Sequence, residues 1–429
     1  MGRRIGFGAG GQALRQLLQL ALLGIAVGVA CWPLNLLDRW QDVMLRRLPA
    51  FGGSWDGGSV AMLLAPLVVM PLLLVLQQRH WPGGAGAGIP QTLVCLEHPE
   101  RIPELMAATP TLQRLGLWSI ATLALLPLGR EGPVVQLGGA VLVGLRSRWP
   151  RLLNWMGQRE RLAVAGAAGL AAGFNTPLVA VIFLVEELMT TMVPSLVWPA
   201  LVVMAMAALV SDLGGQPEFA LGLLPTGALE TQQLFWAVPF GVLAGLLGGL
   251  LSLMLLACHR RFAPMARRRP LTLGLALGLA LAGLALISGG ASGGDGATLM
   301  ASLLNQGQGP WSTPPTLLAR LLGPVLALAS GVPGGLIDPA LAVGALLGRT
   351  LGDPMGIGAL GLAMAMAACL AGATQLPVMS LVFALRLAGD QQLLPGMLLA
   401  TALGAGVGRL LTQQPVYHVL AERLESPPP

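Results

Sequence analysis

Gly129-Arg130-Glu131-Gly132-Pro133 interrupts an apolar stretch, separating residues 116–128 from 132–145 with a charged pair and a proline. Proline is favoured at the first helical position, because the N–H it lacks would have no intrahelical partner there. The motif therefore reads as a helix start set between apolar segments, with the carboxylic acid Glu131 at its mouth. An ionisable side chain in hydrocarbon is costly and marks a function or a partner. Arg130 is a poor partner, because adjacent residues of a helix do not face one another.

The surroundings of this motif define the solvent. Of 429 residues, 55% are hydrophobic and 10% charged, whereas soluble domains carry about a quarter charged residues. Runs at 17–37, 60–76, 234–257 and 271–287 approach or reach the ~20 apolar residues needed to cross a bilayer. The reading is an all-α, multi-pass protein of the inner (plasma) membrane. The net charge of +6 comes with arginines gathered in short loops: Arg3 and Arg4, then Arg146, Arg148, Arg151, Arg159 and Arg161, then Arg260, Arg261, Arg267, Arg268 and Arg269. That is the positive-inside pattern, placing the amino terminus and both loops in the cytoplasm. No nucleic-acid partner is needed to explain it. Cys31, Cys95, Cys258 and Cys369 form no paired motif and read as packing residues. With no phosphate-binding GxxxxGK[ST] loop, no metal-ligand spacing and no nucleophile motif, neither ATP-driven transport, a metal or cofactor, nor enzymatic hydrolysis is indicated.

Glycine and proline, 59 and 33 residues, cut many apolar segments into pieces too short to span, as at 166–173 and 177–188. Broken backbone at membrane depth must be buried in protein or line a polar cavity. Scattered glycines such as Gly245, Gly248 and Gly249 instead read as close helix packing. Two breaks have counterparts later in the chain. Pro133 and Pro339 each precede a glycine by five residues, Gly138 and Gly344, and Pro177 and Pro377 each precede a phenylalanine by six, Phe183 and Phe383. Corresponding broken helices are a mark of transporters built from repeats, with the binding site where the halves meet. Coincidence in Ala/Leu/Gly-rich sequence is the competing explanation. The expected division is a cytoplasmic segment at 1–16, a first repeat at 17–212, a connection at 213–231, a second repeat at 232–420 and a short tail at 421–429.

Pro90, Pro133, Pro177 and Pro339 each follow a glycine-rich or polar turn, giving four expected helix starts. A helix amino terminus offers unpaired N–H groups and about half a positive charge. Several of them aimed at one buried point hold an anion more loosely than a fixed cation would. Burial and helix N–H groups act on Glu131 in opposite senses, leaving a group able to titrate as anions come and go.

Residues 129–133, GREGP, are the signature of the CLC family of chloride channels and chloride/proton exchangers. They occur with Gly86 to Pro90, similar to the family's GSGIP, with Gly173 to Pro177 and the following Glu186-Glu187, with Gly334 to Pro339, similar to GGxFxP, and with Tyr417. The matches keep family order and cover most of the chain. The resemblance implies two structurally repeated, inverted halves whose broken helices meet at a central anion site, and a homodimer with one pathway per subunit. It implies exchange of chloride, or a related monovalent anion, for protons. Ala87, Gly88, Arg130, Glu131, Gly132, Leu336, Ile337 and Tyr417 would surround the anion. Glu131 would gate and carry the proton, and Glu187 would relay it inward. Read without the resemblance, Glu187 is equally a solvated charge at a helix end, and Tyr417 an interfacial belt residue. Glu186 reads as structural.

Two departures bear on selectivity. Ala87 stands where the family has a serine hydroxyl, and Asp338 stands where it has a small residue. Asp338, just before Pro339, is expected to cap the helix, or else to be a second titrating group. The rivals are an uncoupled voltage- or pH-gated anion channel of the same fold, and a cation/proton antiporter using buried carboxylates as ligands.

Overall fold

The computed structural model of the protein describes residues 7–189, 191, 193–215, 231–306, 309, 313–389 and 391–425. Residues 216–230 of the expected connection, 1–6 of the expected amino-terminal segment and 426–429 of the expected tail lie outside the described residues. The described chain is helical throughout. Its first part contains α1 (Phe7–Leu45), α2 (Gly57–Leu64), α3 (Pro66–Arg79), α4 (Ile89–Glu97), α5 (Ile102–Leu105), α6 (Ala108–Leu123), α7 (Glu131–Arg148), α8 (Gln158–Phe174), α9 (Pro177–Phe183) and α10 (Pro194–Leu213). Its second contains α11 (Ala237–Arg268), α12 (Pro270–Ile287), α13 (Ala297–Gln306), α14 (Pro314–Ala329), α15 (Ile337–Gly352), α16 (Gly358–Thr374), α17 (Pro377–Ala388), α18 (Leu394–Leu411) and α19 (Val416–Glu425). Among the described residues, six helical stretches are long and apolar enough to cross a membrane: Gly11–Leu45, Gly57–Arg79, Pro194–Leu213, Leu234–Arg268, Pro270–Ile287 and Leu394–Glu425. α14, α16 and α17 are apolar but shorter.

The halves repeat one another in packing as well as in order. α7 packs on α8 as α15 does on α16, α1 on α10 as α11 does on α18, and α3 of one half pairs with α12 of the other. The proline–glycine pairs sit at matching contacts, since Gly138 lies against the carbonyl of Ala165 on α8 and Gly344 against that of Ala365 on α16. Asn175 (φ 49) and Gln375 (φ 62) close α8 and α16 in the left-handed conformation, each just before the proline that opens the next helix. At the centre, Gly129 and Gly335, which occupy equivalent places ahead of Pro133 and Pro339, pair antiparallel. Each N–H donates to the other's carbonyl, at 3.1 and 2.9 Å. Antiparallel pairing of equivalent residues is the local two-fold of an inverted repeat.

Small residues set the helix spacing. A side chain at Gly245 would enter the backbone of Gly404 on α18, and one at Gly248 would enter that of Cys369 on α16. Between lipid-solvated helices such backbone approach supplies dispersion contacts in place of a hydrophobic driving force. The four cysteines are unpaired, and three of them are buried, as packing residues.

Gly248 and Gly283 separate the packing role from composition alone. Gly248→Leu has no room and should cost about 3 kcal/mol or more by overpacking, whereas nothing lies within 4 Å of a side chain added at Gly283. Thermal unfolding of detergent-purified protein should show a marked loss of stability for Gly248→Leu and none for Gly283→Leu.

Candidate anion site and its carboxylates

Three interhelical turns converge where the halves meet. The Gly86 N–H donates to the Gly331 carbonyl at 2.8 Å. Gly132 lies so close to the carbonyls of Ala87 and Gly334 that a Cβ there would strike both turns. Gly88 is at φ 111, a left-handed conformation suited to glycine, and a Cβ on it would meet the backbone of Gly132. The starts of α4, α7 and α15 are thereby gathered into one place, as the turns ahead of Pro90, Pro133 and Pro339 led us to expect. α9 opens at Pro177 itself.

The helix starts differ in detail from the expectation. α7 begins at Glu131 and α15 at Ile337, so Pro133 and Pro339 are third residues. The whole first turn lacks intrahelical N–H partners, so proline is tolerated there too. The consequence is that Ile337 and Asp338 carry N–H groups at the open end of α15. Asp338 consequently does not cap the helix as expected. Leu336 occupies the cap position, and the fully buried Asp338 carboxylate has neither oxygen hydrogen-bonded.

Glu131 is wholly buried, and its carboxylate reaches across the two-fold to α15, where Oε1 accepts the Asp338 N–H at 2.7 Å. The side chain lies over Gly129 and Gly335, and a methyl on Gly335 would overlap it. Its other oxygen, Oε2, is unpaired. At the same helix start, the Leu336 N–H donates to the Tyr417 hydroxyl oxygen at 3.1 Å. Tyr417 is buried, which removes it from the interfacial belt. Ile337 is buried between these two contacts. Ala87 and Leu336 line, with Tyr417 and His259, a cavity of about 50 Å³. Two oxygen atoms from movable side chains thus engage N–H groups two residues apart, those of Leu336 and Asp338, at one helix amino terminus.

Cations in the neighbourhood are already engaged. The Arg130 guanidinium is buried, ion-paired with Asp38 of α1, and stacked 4.6 Å over the Phe174 ring. Phe383 meets Phe174 edge-on at 5.5 Å. Arg114 donates to the carbonyls of Gly83, Ala85 and Gly86 and to Gln136. Arg320, its counterpart in the second half, donates to the carbonyls of Ala291, Gly293 and Gly294 at 2.6, 2.6 and 3.0 Å. Both arginines satisfy irregular turns, a role that the sequence reading missed. The signal was available, because Arg114 and Arg320 are separated by the same interval as Pro133 and Pro339.

Glu187 lies beyond this group. α9 continues from Leu184 to Met189 as a wide π-type turn, a distortion that often marks functional positions. Glu187 is fully buried with both oxygens unpaired, and the His418 Nε2 is 3.8 Å from its Oε1. It is not a solvated helix-end charge. Glu186 instead accepts the N–H groups of Val378 and Met379, at 3.1 and 2.7 Å, at the start of α17. That contact ties the two halves together, in line with a structural role.

A bundle of inverted repeats, with broken helices whose amino termini meet in its interior, defines a repeat-built membrane transport protein. Residues 68–409 match the family of voltage gated chloride channels, Voltage_CLC. A voltage-gated ClC-type chloride channel ClcB of Escherichia coli is 30% identical over 308 residues, covering 68% of this chain and 71% of that one. The chain belongs to the CLC family. Its fold is that of a slow cyanobacterial Cl−/H+ antiporter, with a TM-score of 0.76, 20% identity and coverage of 96% and 98%. A CLC-type fluoride/proton antiporter matches at a TM-score of 0.72, with 22% identity and coverage of 93% and 96%.

The crowding at Gly335 yields a direct structural test. Gly335→Ala should expel the Glu131 carboxylate, moving Oε1 beyond the ~3.5 Å limit of a hydrogen bond to the Asp338 N–H. A density map of that variant checks the displacement.

Proposed function

We propose that the protein exchanges chloride, or a related monovalent anion, for protons moving the opposite way. The observation that carries this reading is the Glu131 carboxylate seated on the α15 start. A carboxylate oxygen bound by helix N–H groups is a stand-in for a monovalent anion at the same donors. When the carboxylate leaves, the Asp338 and Ile337 N–H groups become an outer anion position. The Leu336 N–H, the Tyr417 hydroxyl and the backbone around Ala87, Gly88, Arg130 and Gly132 serve an inner one. Rotating its hydroxyl hydrogen lets Tyr417 donate to an anion while its oxygen still accepts from Leu336.

The proton side of the reading rests on the two buried carboxyls. A Glu131 side chain displaced by an anion loses the N–H donor that stabilises its charge, and takes up a proton in exchange. Glu187 provides the inner relay. Asp338 adds a second acid beside the gate, and Ala87 removes a hydroxyl donor from the inner position. Both changes bear on which anion is preferred. A single subunit contains every group invoked, and the reading takes the protein to be a homodimer of the inner membrane, as its resemblance to the family implies.

The relatives from E. coli bear the name of channels, so uncoupled conduction is the reading to be tested against. In liposomes, an imposed chloride gradient should drive protons uphill. Glu131→Ala should keep conducting anions while losing proton coupling, and Glu187→Gln should lower proton flux by about a hundredfold, the scale of a lost acid–base group. Passive chloride flux without proton movement in the unaltered protein would establish a channel, and loss of all transport in Glu131→Ala would favour a cation carrier.

A further inference from the structure

Beside Glu187 is a second titratable side chain that the preceding reading does not use. A cavity of about 200 Å³ is lined by Glu97, Arg159, Glu187, His418, Glu422 and Glu425, among others. Glu187 borders it but is itself buried, with both carboxylate oxygens unpaired and no exposed surface, while the His418 side chain is 32% exposed, with Nε2 3.8 Å from Glu187 Oε1. His418 therefore bridges the cavity and the buried acid. The separation exceeds a direct hydrogen bond by less than 1 Å, and a small side-chain rotation closes it. Such contacts are commonly long before the transferring state forms.

We propose that His418 is the proton donor and acceptor that connects Glu187 to the cavity and so to bulk water, an inference that rests on the exchanger reading above. Imidazole suits this task because it changes charge near neutral pH and has two nitrogens that serve as entry and exit. A proton from cavity water binds the ring, and the resulting imidazolium passes its Nε2 proton to the Glu187 carboxylate. Neutral imidazole and a carboxylic acid remain, and outward transfer is the reverse. The other charges facing the ring suit a cation that forms transiently. Glu97 is held by Arg159 at 2.7 Å, Glu425 lies 3.5 Å from His98, and Glu422 sits on the same helix as His418. The geometry follows from α19 itself. Successive helical residues point about 100° apart, so the first turn directs Tyr417 to the Leu336 N–H and His418 to Glu187.

The test is chemical rescue in proteoliposomes. His418→Ala should slow uphill proton transport about tenfold or more, and imidazole added on the side that opens to this cavity should restore most of it, because the vacated space admits the ring. His418→Gln, which fills that space but cannot carry a proton, should be equally slow and should not be rescued. Wild-type proton transport in either variant, or a slow His418→Ala that imidazole fails to restore, overturns the assignment of His418. If the unaltered protein moves no protons, or Glu187→Gln couples normally, the exchanger reading falls and takes this one with it. If those controls behave and only the His418 variants do not, the exchanger reading stands alone.

Discussion

The reciprocal hydrogen bonds between Gly129 and Gly335 are the constraint around which the rest is built. Helices broken at membrane depth leave N–H and C=O groups that hydrocarbon cannot satisfy. Here equivalent turns from the two halves satisfy each other across the local two-fold. Two buried arginines, Arg114 and Arg320, take up carbonyls of the neighbouring glycine turns. The cost of breaking the helices is thereby offset inside the protein, and the amino termini of α7 and α15 are left facing one another's turns. Glycine is required at the pairing positions because the Glu131 carboxylate occupies the space that a side chain on Gly335 would need.

The same arrangement sets the electrostatics. A centre containing Arg114, Arg130 and Arg320 has no shortage of formal positive charge. Each is nevertheless turned to structure: Arg130 to Asp38 and the Phe174 ring, the other two to backbone carbonyls. The amides at the start of α15 are the donors presented to Glu131 and Tyr417. Their attraction is that of partial charges, strong enough to hold a desolvated carboxylate and weak enough to exchange it. On the proposed reading, that intermediate strength is what permits turnover.

Much of this was legible in sequence because the informative residues are local. GREGP, the paired proline–glycine spacings and the composition located the helix starts, the repeat and the membrane. Glu131, Tyr417, Ala87, Gly88, Gly132 and Leu336 are brought to one centre, whereas the Arg130 side chain turns away to Asp38. What stayed hidden depends on partners far apart in the chain. Nothing near Arg320 names the carbonyls of Ala291 and Gly293, and nothing near Asp38 names Arg130. The Asp338 cap failed for a different reason. The preference of proline for the first helical position points to Pro339, but the helix begins two residues earlier, which moves Asp338 inside the first turn and frees its N–H for Glu131.

His418 shows why a histidine next to a motif residue carries little information in sequence and more in three dimensions. Helical geometry forces neighbours onto different faces, so the residue after Tyr417 could not share its surroundings. In the fold that second face meets a buried carboxylate and a polar cavity. On the proposed mechanism, α19 then belongs to both routes, with its phenol on the anion side and its imidazole on the proton side. Two routes that share the outer gate at Glu131 must part before the inner surface, or protons would travel with the anions they are exchanged for. A single helix turn that addresses both is a compact way to separate them.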